Sequence, residues 1–298
     1  MPTTRNETLS VVLYGNTSQR EKSQHIVRIL NALERFAFTT FIDEKFARFL
    51  QQELSLDISR CTVVADHTQI RSDFAISVGG DGTFLQTAAQ IGNAGIPIIG
   101  INTGHLGFLA DVSPDDIDDA IEALSKKEYG IEVHSVLKVE IDGKPHLSDP
   151  YALNEVAILK SDTASLITIQ TDIDQKAFTS YIADGLIIAT PTGSTGYSLS
   201  ANGPIISPDS HSICLTPIAP HSLSLRPFII NDDARIDLSV KSRTDNFLIS
   251  IDGRSTTLST DSKVSVSRAN HYISVIKIRH QNFIDTLKDK LHWGIDER

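Results

Sequence analysis

A glycine-rich segment with one carboxylate at its centre is the first part of this chain whose residue types suggest chemistry. The segment ISVGGDGTF, residues 76–84, places Gly79, Gly80 and Gly82 around Asp81 and continues with Thr83. Glycines let backbone N–H groups approach a ligand closely, and phosphates are the ligands that favour such groups. The segment therefore predicts a phosphate-binding loop. Because a carboxylate repels phosphates, Asp81 requires a metal ion, a proton or a hydroxyl group between itself and the anion.

Two common phosphate-binding patterns do not describe this loop. A dinucleotide fingerprint G-x-G-x-x-G would need its last glycine where Leu85 stands, and a Walker A loop would need a lysine followed by serine or threonine. The alternative interpretation is a turn in which Asp81 only caps the following helix. The loop by itself leaves both interpretations open.

A second segment is rich in small and hydroxylated residues. Residues 183–205, ADGLIIATPTGSTGYSLSANGPI, contain a strand-like run followed by a stretch that we predict to be a long functional loop. Its hydroxyl and N–H groups suit the sugar and amide groups of a nucleotide, and Tyr197 offers an aromatic face for a base. A solvated Ser/Thr linker is the alternative.

A third segment, YALNEVAIL at residues 151–159, places the polar pair Asn154 and Glu155 inside an apolar run. Such a pair most often marks a strand end or a bulge. Taken alone, it indicates no particular function.

The periodicity of the chain predicts the elements that position these segments. Up to about residue 130, strand-like runs at residues 9–15, 73–78 and 96–101 alternate with helical patterns, which is typical of a Rossmann-like α/β domain with a parallel sheet. After Tyr129 the period changes to two, and Asp-Gly pairs join several runs, which predicts a mostly antiparallel, β-sandwich-like C-terminal domain. We place the domains at residues 1–131, completed by a C-terminal helical segment at 279–298, and at residues 132–278.

Composition limits the classes of partner. The chain has 298 residues and a formal net charge of -10, which argues against a nucleic-acid-binding or membrane-surface protein. Cys61 and Cys214 lie far apart and support neither a zinc site nor a disulfide framework. No apolar run approaches the length of a membrane span, and the expected location is the cytoplasm.

Together the three segments resemble the NAD kinase family, ATP-dependent enzymes that phosphorylate the 2′-hydroxyl of the adenosine ribose of NAD to make NADP. The shared pattern is GGDGT between a strand and a helix, then Asn-Glu, then D-G-x-x-x-x-T-P-T-G-S-T-x-Y, in this order. The resemblance covers most of the chain and includes NTGHLGFLAD at residues 102–111 and SIDGR at residues 250–254. It implies an α/β domain that precedes an all-β NAD-binding domain.

The resemblance also implies roles for the matching residues. Asp81 would lie beside the acceptor ribose, where a carboxylate can orient the attacking hydroxyl and take its proton as the catalytic base. Gly82 would let the chain pass close to NAD, and Asn154 and Glu155 would hold the adenosine sugar. The other implied NAD contacts are Phe108 in the pocket wall, Asp184 toward the nicotinamide, the backbone of Ala219, and Thr195, Gly196, Tyr197 and Ser200 around the adenine. The family commonly has alanine where this chain has Gly196.

The family further implies ATP as phosphoryl donor, a divalent ion such as Mg²⁺, and a homotetramer or homodimer. No residue is assigned to the metal. Two alternatives remain at this point: another kinase with a GGDGT loop, acting on a lipid or a sugar phosphate, and a non-catalytic NAD-binding regulator. The TPTGSTGY segment favours the dinucleotide acceptor, and Asp81 disfavours the regulator because binding alone gains nothing from an anion there.

Overall fold

The computed structural model describes residues 8–18, 23–65, 71–104, 107–145, 149–162, 165–278 and 283–292. The chain forms two compact units, Met1–Val133 with Ile273–Arg298, and His134–Tyr272. The C-terminal part of the first unit thus begins at Ile273, a few residues before the predicted position 279. In the described part of the chain, no helix combines the length and apolar character needed to cross a membrane.

The first unit has a parallel sheet flanked by helices. The strands lie in the order β3-β2-β1-β4-β5, and every pairing among them is parallel. Its elements are β1 (Ser10–Gly15), α1 (Ser23–Arg35), β2 (Thr39–Asp43), α2 (Glu44–Gln52), β3 (Thr62–Val64), β4 (Phe74–Val78), α3 (Asp81–Ile91), β5 (Ile98–Ile101) and α4 (Ile117–Lys126).

Local sequence signals explain these elements. β4 and β5 are buried along their whole length, as expected for strands covered on both faces of a parallel sheet. Ser113 is the N-cap of a short 3-10 helix whose first residue is Pro114, and α4 follows it directly. Proline fits this first position because its missing N–H would have no partner inside the helix. The predicted strands and the predicted helix start are confirmed.

The second unit is built from antiparallel strands in two sheets. The chain continues with β6 (Gly130–Ile141), β7 (Lys144–Pro145), β8 (Tyr151–Ala152), β9 (Glu155–Lys160), β10 (Ile167–Ile173), β11 (Lys176–Ala183), β12 (Gly185–Ala189), α5 (Tyr197–Ser200), β13 (Ser212–Ile218), β14 (Phe228–Asn231), β15 (Ile236–Lys241), β16 (Asn246–Ile251), β17 (Arg254–Ser259) and β18 (Lys263–Lys277). The helix that follows, α6 (Phe283–Leu291), belongs to the first unit. One sheet has the order β14-β13-β12-β9-β16-β17, and the other contains β11-β10-β15-β18 with β6 paired to β18.

The inward faces of these two sheets share one apolar core. Ile169 and Val264 from one sheet and Ile188 and Phe247 from the other belong to the same buried cluster. Alternation of apolar and polar residues along the strands produces this arrangement, because successive side chains point to opposite faces of a sheet. The predicted sandwich-like, mostly antiparallel fold is confirmed.

Both predicted Asp-Gly turns are present. Asp142 and Gly143 have φ angles of 51° and 74°, and Asp252 and Gly253 have φ angles of 46° and 80°. Positive φ at both central residues is the signature of the two-residue hairpin turn that matches strand twist. The second turn joins β16 to β17, with Ile251 opposite Arg254.

The predicted long loop after β12 is wrong in part, because two helical turns occupy it. Residues Thr192–Thr195 form a 3-10 helix, and α5 follows immediately. Buried hydroxyl groups stabilise these turns: Ser194 Oγ accepts from the Ile206 N–H at 3.0 Å, and the hydroxyls of Ser198 and Thr216 lie 2.9 Å apart. Several hydroxyl groups that suggested ligand binding therefore serve the fold, since a buried polar group requires a partner.

Candidate active site

The glycine-rich loop connects β4 to the N-terminus of α3. Gly80 is the N-cap residue, and Asp81 is the first residue of the helix. No side-chain hydrogen bond caps the helix. The alternative interpretation of Asp81 as a simple helix cap is therefore wrong, and its carboxylate has a different partner.

That partner is the backbone of residues 108–110. The N–H of Phe108 donates to Oδ2 of Asp81 at 2.9 Å, and the N–H groups of Leu109 and Ala110 both donate to Oδ1 at 3.0 Å. A Cβ at Gly107 would overlap Oδ1 of Asp81, which explains glycine at that position. Three hydrogen bonds from consecutive N–H groups hold the carboxylate in one orientation, and such charge-assisted bonds are stronger than neutral ones.

The glycines of the loop differ in what surrounds them. A Cβ at Gly79 would overlap the side chain of Thr83, which is buried. A Cβ at Gly80 or Gly82 would meet no atom of the described residues within 4 Å. The space in front of Gly80 and Gly82 is thus open to a ligand, whereas Gly79 is required by packing.

In the second unit, Asn154 and Glu155 present two acceptor atoms that lack partners. Asn154 Oδ1 and Glu155 Oε2 are buried, and neither has a hydrogen-bond partner among the described residues. Both side chains end near Gly196, where a Cβ would lie 3.0 Å from Glu155 Oε2 and 3.2 Å from Asn154 Nδ2. Buried acceptors without donors are costly, and they are expected where a ligand supplies the donors. A hydroxyl group of a ligand is a donor that matches this arrangement.

Asp252 positions this polar pair, and sequence reasoning gave it no role. Its carboxylate accepts hydrogen bonds from the N–H groups of Leu153 at 2.7 Å, Asn154 at 2.9 Å and Glu155 at 3.0 Å. The N–H of Asp252 in turn donates to the Glu155 carbonyl at 3.1 Å. The signal in the sequence was the SIDGR segment, which indicated a turn but not the distant backbone that its aspartate holds.

The carboxylate of Glu155 has a perturbed pKa. Burial, together with the nearby charge of Asp252, raises the pKa of Glu155 to about 7, and the backbone N–H of Tyr197 opposes this increase. Burial likewise raises the pKa of Asp252, and its three N–H donors oppose that increase. Two carboxylates this close disfavour simultaneous ionisation.

The other predicted NAD contacts in the second unit lie on several elements. Asp184 is paired with Lys160, with 2.6 Å between Oδ1 and Nζ. Ala219 has a φ of 44°, a left-handed conformation that costs free energy for alanine and is concentrated at functional sites. Tyr197 is 41% exposed, Ser200 is exposed, and Thr195 donates its hydroxyl to the Thr192 carbonyl at 3.2 Å.

The described residues contain no group of three or more His, Cys, Asp or Glu side chains that could hold a metal ion. Among the residues of the NTGHLGFLAD segment, His105 and Leu106 lie outside the described residues.

The glycines give a paired test of the loop. We expect Gly79→Ala to lower the free energy of unfolding by about 1–3 kcal/mol, because its methyl group overlaps the Thr83 side chain. Gly82→Ala is expected to leave stability unchanged or to raise it slightly, since alanine favours helix and its methyl group meets open space. Urea unfolding of both variants checks this contrast. Equal losses of stability would contradict the assignment of open space at Gly82.

Glu155 makes a testable contribution to pH-dependent stability. Its pKa is about 7 in the folded protein against 4.5 ordinarily, so between these values the folded state holds a proton that the unfolded chain releases. The free energy of unfolding therefore falls as pH rises through this window and is constant above it. Glu155→Gln has no carboxyl group to titrate, so its free energy of unfolding does not fall in this way. We therefore expect the free energy of unfolding of the variant, minus that of the wild type, to increase from pH 5 to pH 8. Parallel profiles from urea unfolding would contradict the shift.

Comparison with known proteins identifies the family. The profile of the ATP-NAD kinase N-terminal domain matches residues 11–129, and that of the ATP-NAD kinase C-terminal domain matches residues 153–278. An NAD kinase from Bacteroides fragilis is 47% identical over 290 residues, which cover 97% of this chain and 100% of the relative. An NAD kinase from Porphyromonas gingivalis is 43% identical over 284 residues, covering 95% and 98%.

Two solved structures are similar in fold. Yeast NADH kinase complexed with NADH has a TM-score of 0.86 at 23% identity, with coverage of 99% of this chain and 90% of that chain. An NAD kinase from Archaeoglobus fulgidus in complex with ATP has a TM-score of 0.74 at 24% identity, with coverage of 96% and 99%. At these identities the likeness supports the fold alone. The two domain profiles and the relatives that match over nearly the full length show that this chain belongs to the NAD kinase family.

Proposed function

We propose that this protein transfers the γ-phosphoryl group of ATP to the 2′-hydroxyl of the adenosine ribose of NAD, which gives NADP and ADP. Family membership supports this reaction, and one observation supports NAD as the molecule that accepts the phosphoryl group. Asn154 Oδ1 and Glu155 Oε2 are buried acceptors without partners among the described residues, and both side chains end beside Gly196. A ribose offers adjacent hydroxyl groups, of which the 3′-hydroxyl would donate to one of these acceptors, while the proton of the 2′-hydroxyl passes to Asp81.

Asp81 is the proposed catalytic base, and its hydrogen bonds indicate which oxygen acts. Oδ1 already accepts from two N–H groups, whereas Oδ2 accepts only from that of Phe108. A carboxylate oxygen has two lone pairs, so Oδ2 is the atom with room for the proton of the attacking hydroxyl. The N–H groups of residues 108–110 keep that oxygen in place without further reorganisation, which is how a positioned base contributes to rate.

The remaining predicted contacts belong to the same proposal. Gly82 leaves room for the close approach of NAD, and Gly79, Gly80 and Thr83 complete the phosphate loop. Glu155 accepts from a ribose hydroxyl most strongly when it is ionised. The other proposed NAD contacts are Phe108, Asp184, Thr195, Gly196, Tyr197, Ser200 and Ala219.

The divalent ion is proposed to arrive with the donor as Mg·ATP. The described residues bring no set of metal ligands together, so the ion is treated as part of the substrate. Triphosphates neutralised in this way are the ordinary donors of kinases. ATP, rather than a protein carboxylate cluster, then supplies the oxygen ligands that Mg²⁺ prefers.

The decisive experiment combines a substrate screen with Asp81→Asn. We expect the wild type to form NADP from NAD and Mg·ATP, and not to phosphorylate diacylglycerol or a sugar phosphate. Asparagine keeps the shape but cannot take the proton, so kcat should fall by roughly 10²- to 10⁴-fold. One N–H donor also loses its acceptor, at a cost of about 1 kcal/mol in stability.

Calorimetric titration with NAD and a thermal melt serve as the controls for this variant. A folded Asp81→Asn protein that binds NAD like the wild type and has lost turnover supports the catalytic role. Turnover within a few-fold of the wild type would contradict it. Formation of a phosphorylated lipid or sugar, with no NADP, would show that this lipid or sugar, and not NAD, is the phosphoryl acceptor.

The proposal includes a homo-oligomer, and an exposed apolar surface on the second unit supports it. The rings of Phe178 and Phe228 stack with their centroids 4.8 Å apart, and each residue is 41% exposed. Ile182 lies on the same face of β11 as Phe178 and is 45% exposed. Exposed aromatic clusters of this kind are typical of interfaces between subunits.

We expect Phe178→Asp combined with Phe228→Asp to lower the mass of the assembly in sedimentation analysis. Burial of two carboxylates in an interface raises the free energy of the assembly, whereas two aspartates that face water have little effect on the stability of the separate subunit. Leu166→Asp is a matched control, because Leu166 is also an exposed apolar residue at 40% and is not part of the stacked pair. An unchanged mass for the double variant would remove this surface from the interface.

A further inference from the structure

The C-terminal helix α6 packs on the residue that holds Asp81. The ring of Phe283, the first residue of α6, lies 6.1 Å from the ring of Phe108, and Thr286 on the same helix is buried. One further turn along, the ammonium group of Lys290 lies 4.4 Å from the centre of the Phe108 ring. Ammonium groups at this distance from an aromatic face are attracted by its electron density. The helix therefore places the ammonium group of Lys290 near Asp81.

Lys290 is close to the oxygen of Asp81 that has room for a proton. Its Nζ lies 3.6 Å from Oδ2, while the three N–H donors lie within 3.0 Å of their oxygens. The side chains of Lys290 and Asp81 are 27% and 32% exposed. A long, partly solvated ion pair is weak, so the ammonium group can leave Oδ2 at little cost.

The loop itself lacks a basic residue. Residues 76–84 contain no lysine or arginine, although phosphoryl transfer requires positive charge beside the transferred group. We propose that Lys290 is the lysine that binds the phosphates of ATP in this reaction, and that it exchanges Asp81 Oδ2 for a phosphate oxygen when ATP binds. The inference rests on the proposed function, because that function brings the phosphates to Asp81.

This exchange connects substrate binding with the proton transfer. In the reaction, the 2′-oxygen forms a bond to the γ-phosphorus, the bond from that phosphorus to the β,γ-bridging oxygen breaks, and ADP leaves with the electron pair. The hydroxyl proton passes to Oδ2 of Asp81. Movement of Lys290 toward the phosphates vacates the position beside Oδ2 and places a positive charge where negative charge develops. One side chain thereby performs both tasks.

A different role for the same contacts is purely structural. Lys290 and Phe283 would then only fasten α6 to Phe108, and loss of the ammonium group would affect stability and both substrates alike. Lys288 provides a matched control, because it lies on the same helix and is exposed. Substitution of either lysine removes one charge from α6, but only Lys290 contacts Phe108 and Asp81.

The test compares Lys290→Gln, Lys290→Arg and Lys288→Gln in the full chain. For Lys290→Gln we expect kcat to fall by about 10- to 100-fold, because one charged donor is lost in the transition state. The KM for ATP should rise about tenfold, and the Kd for NAD should not change. Lys290→Arg should recover part of both losses, and Lys288→Gln should stay within about twofold of the wild type.

Calorimetry with Mg²⁺ and the non-hydrolysable β,γ-imido analogue of ATP separates this inference from the proposed function. Weaker binding of the analogue by Lys290→Gln, with unchanged binding by Lys288→Gln, supports a phosphate-binding lysine even if the wild type forms no NADP. Wild-type kcat and ATP affinity in Lys290→Gln would overturn the inference. Equal losses of NAD and ATP affinity with a lowered Tm would overturn it in favour of the structural role.

Discussion

The residues proposed for the site depend on one interaction that occurs once in each unit, a carboxylate that accepts hydrogen bonds from three consecutive backbone N–H groups. Asp81 holds residues 108–110 in the first unit, and Asp252 holds residues 153–155 in the second. Segments between strands have few backbone partners of their own, and an ionised acceptor satisfies several donors at once. Each aspartate therefore fixes a chain segment that carries site residues, and its own orientation is fixed in return.

The two copies of this interaction have different consequences. Asp81 keeps part of one oxygen free, and a long ion pair with Lys290 is its remaining contact in the described chain. Asp252 accepts from the N–H of Glu155, and its charge helps to raise the pKa of the Glu155 carboxyl to about 7. The first carboxylate is suited to accept a proton, whereas the second organises its neighbours. The two aspartates accept the same number of N–H groups but differ in their neighbours, since Asp81 lies beside an ammonium group and Asp252 beside a second carboxylate.

Several features of the fold follow from residues close together in the chain. Ser113 and Pro114 begin the helical turn that leads into α4, and Asp142-Gly143 and Asp252-Gly253 adopt the positive φ angles of hairpin turns. The GGDGT and TPTGSTGY segments also carry the resemblance to the family that the two domain profiles and the relatives show. The prediction of a long loop after β12 was wrong in part. Buried hydroxyl groups stabilise helical turns in that segment through contacts with Ile206 and Thr216.

The sequence by itself therefore determined the order of the elements, the class of each unit and the family, and it supplied the residues that we propose for the site. Only the tertiary structure decided which backbone Asp81 and Asp252 hold, that Asn154 and Glu155 end in buried acceptors without partners in the described chain, and that Lys290 lies beside Asp81. Helix, turn and strand signals act over a few residues, whereas these contacts join segments far apart in the chain. They exist because strand pairing and core packing bring those segments together, and no local pattern encodes that arrangement.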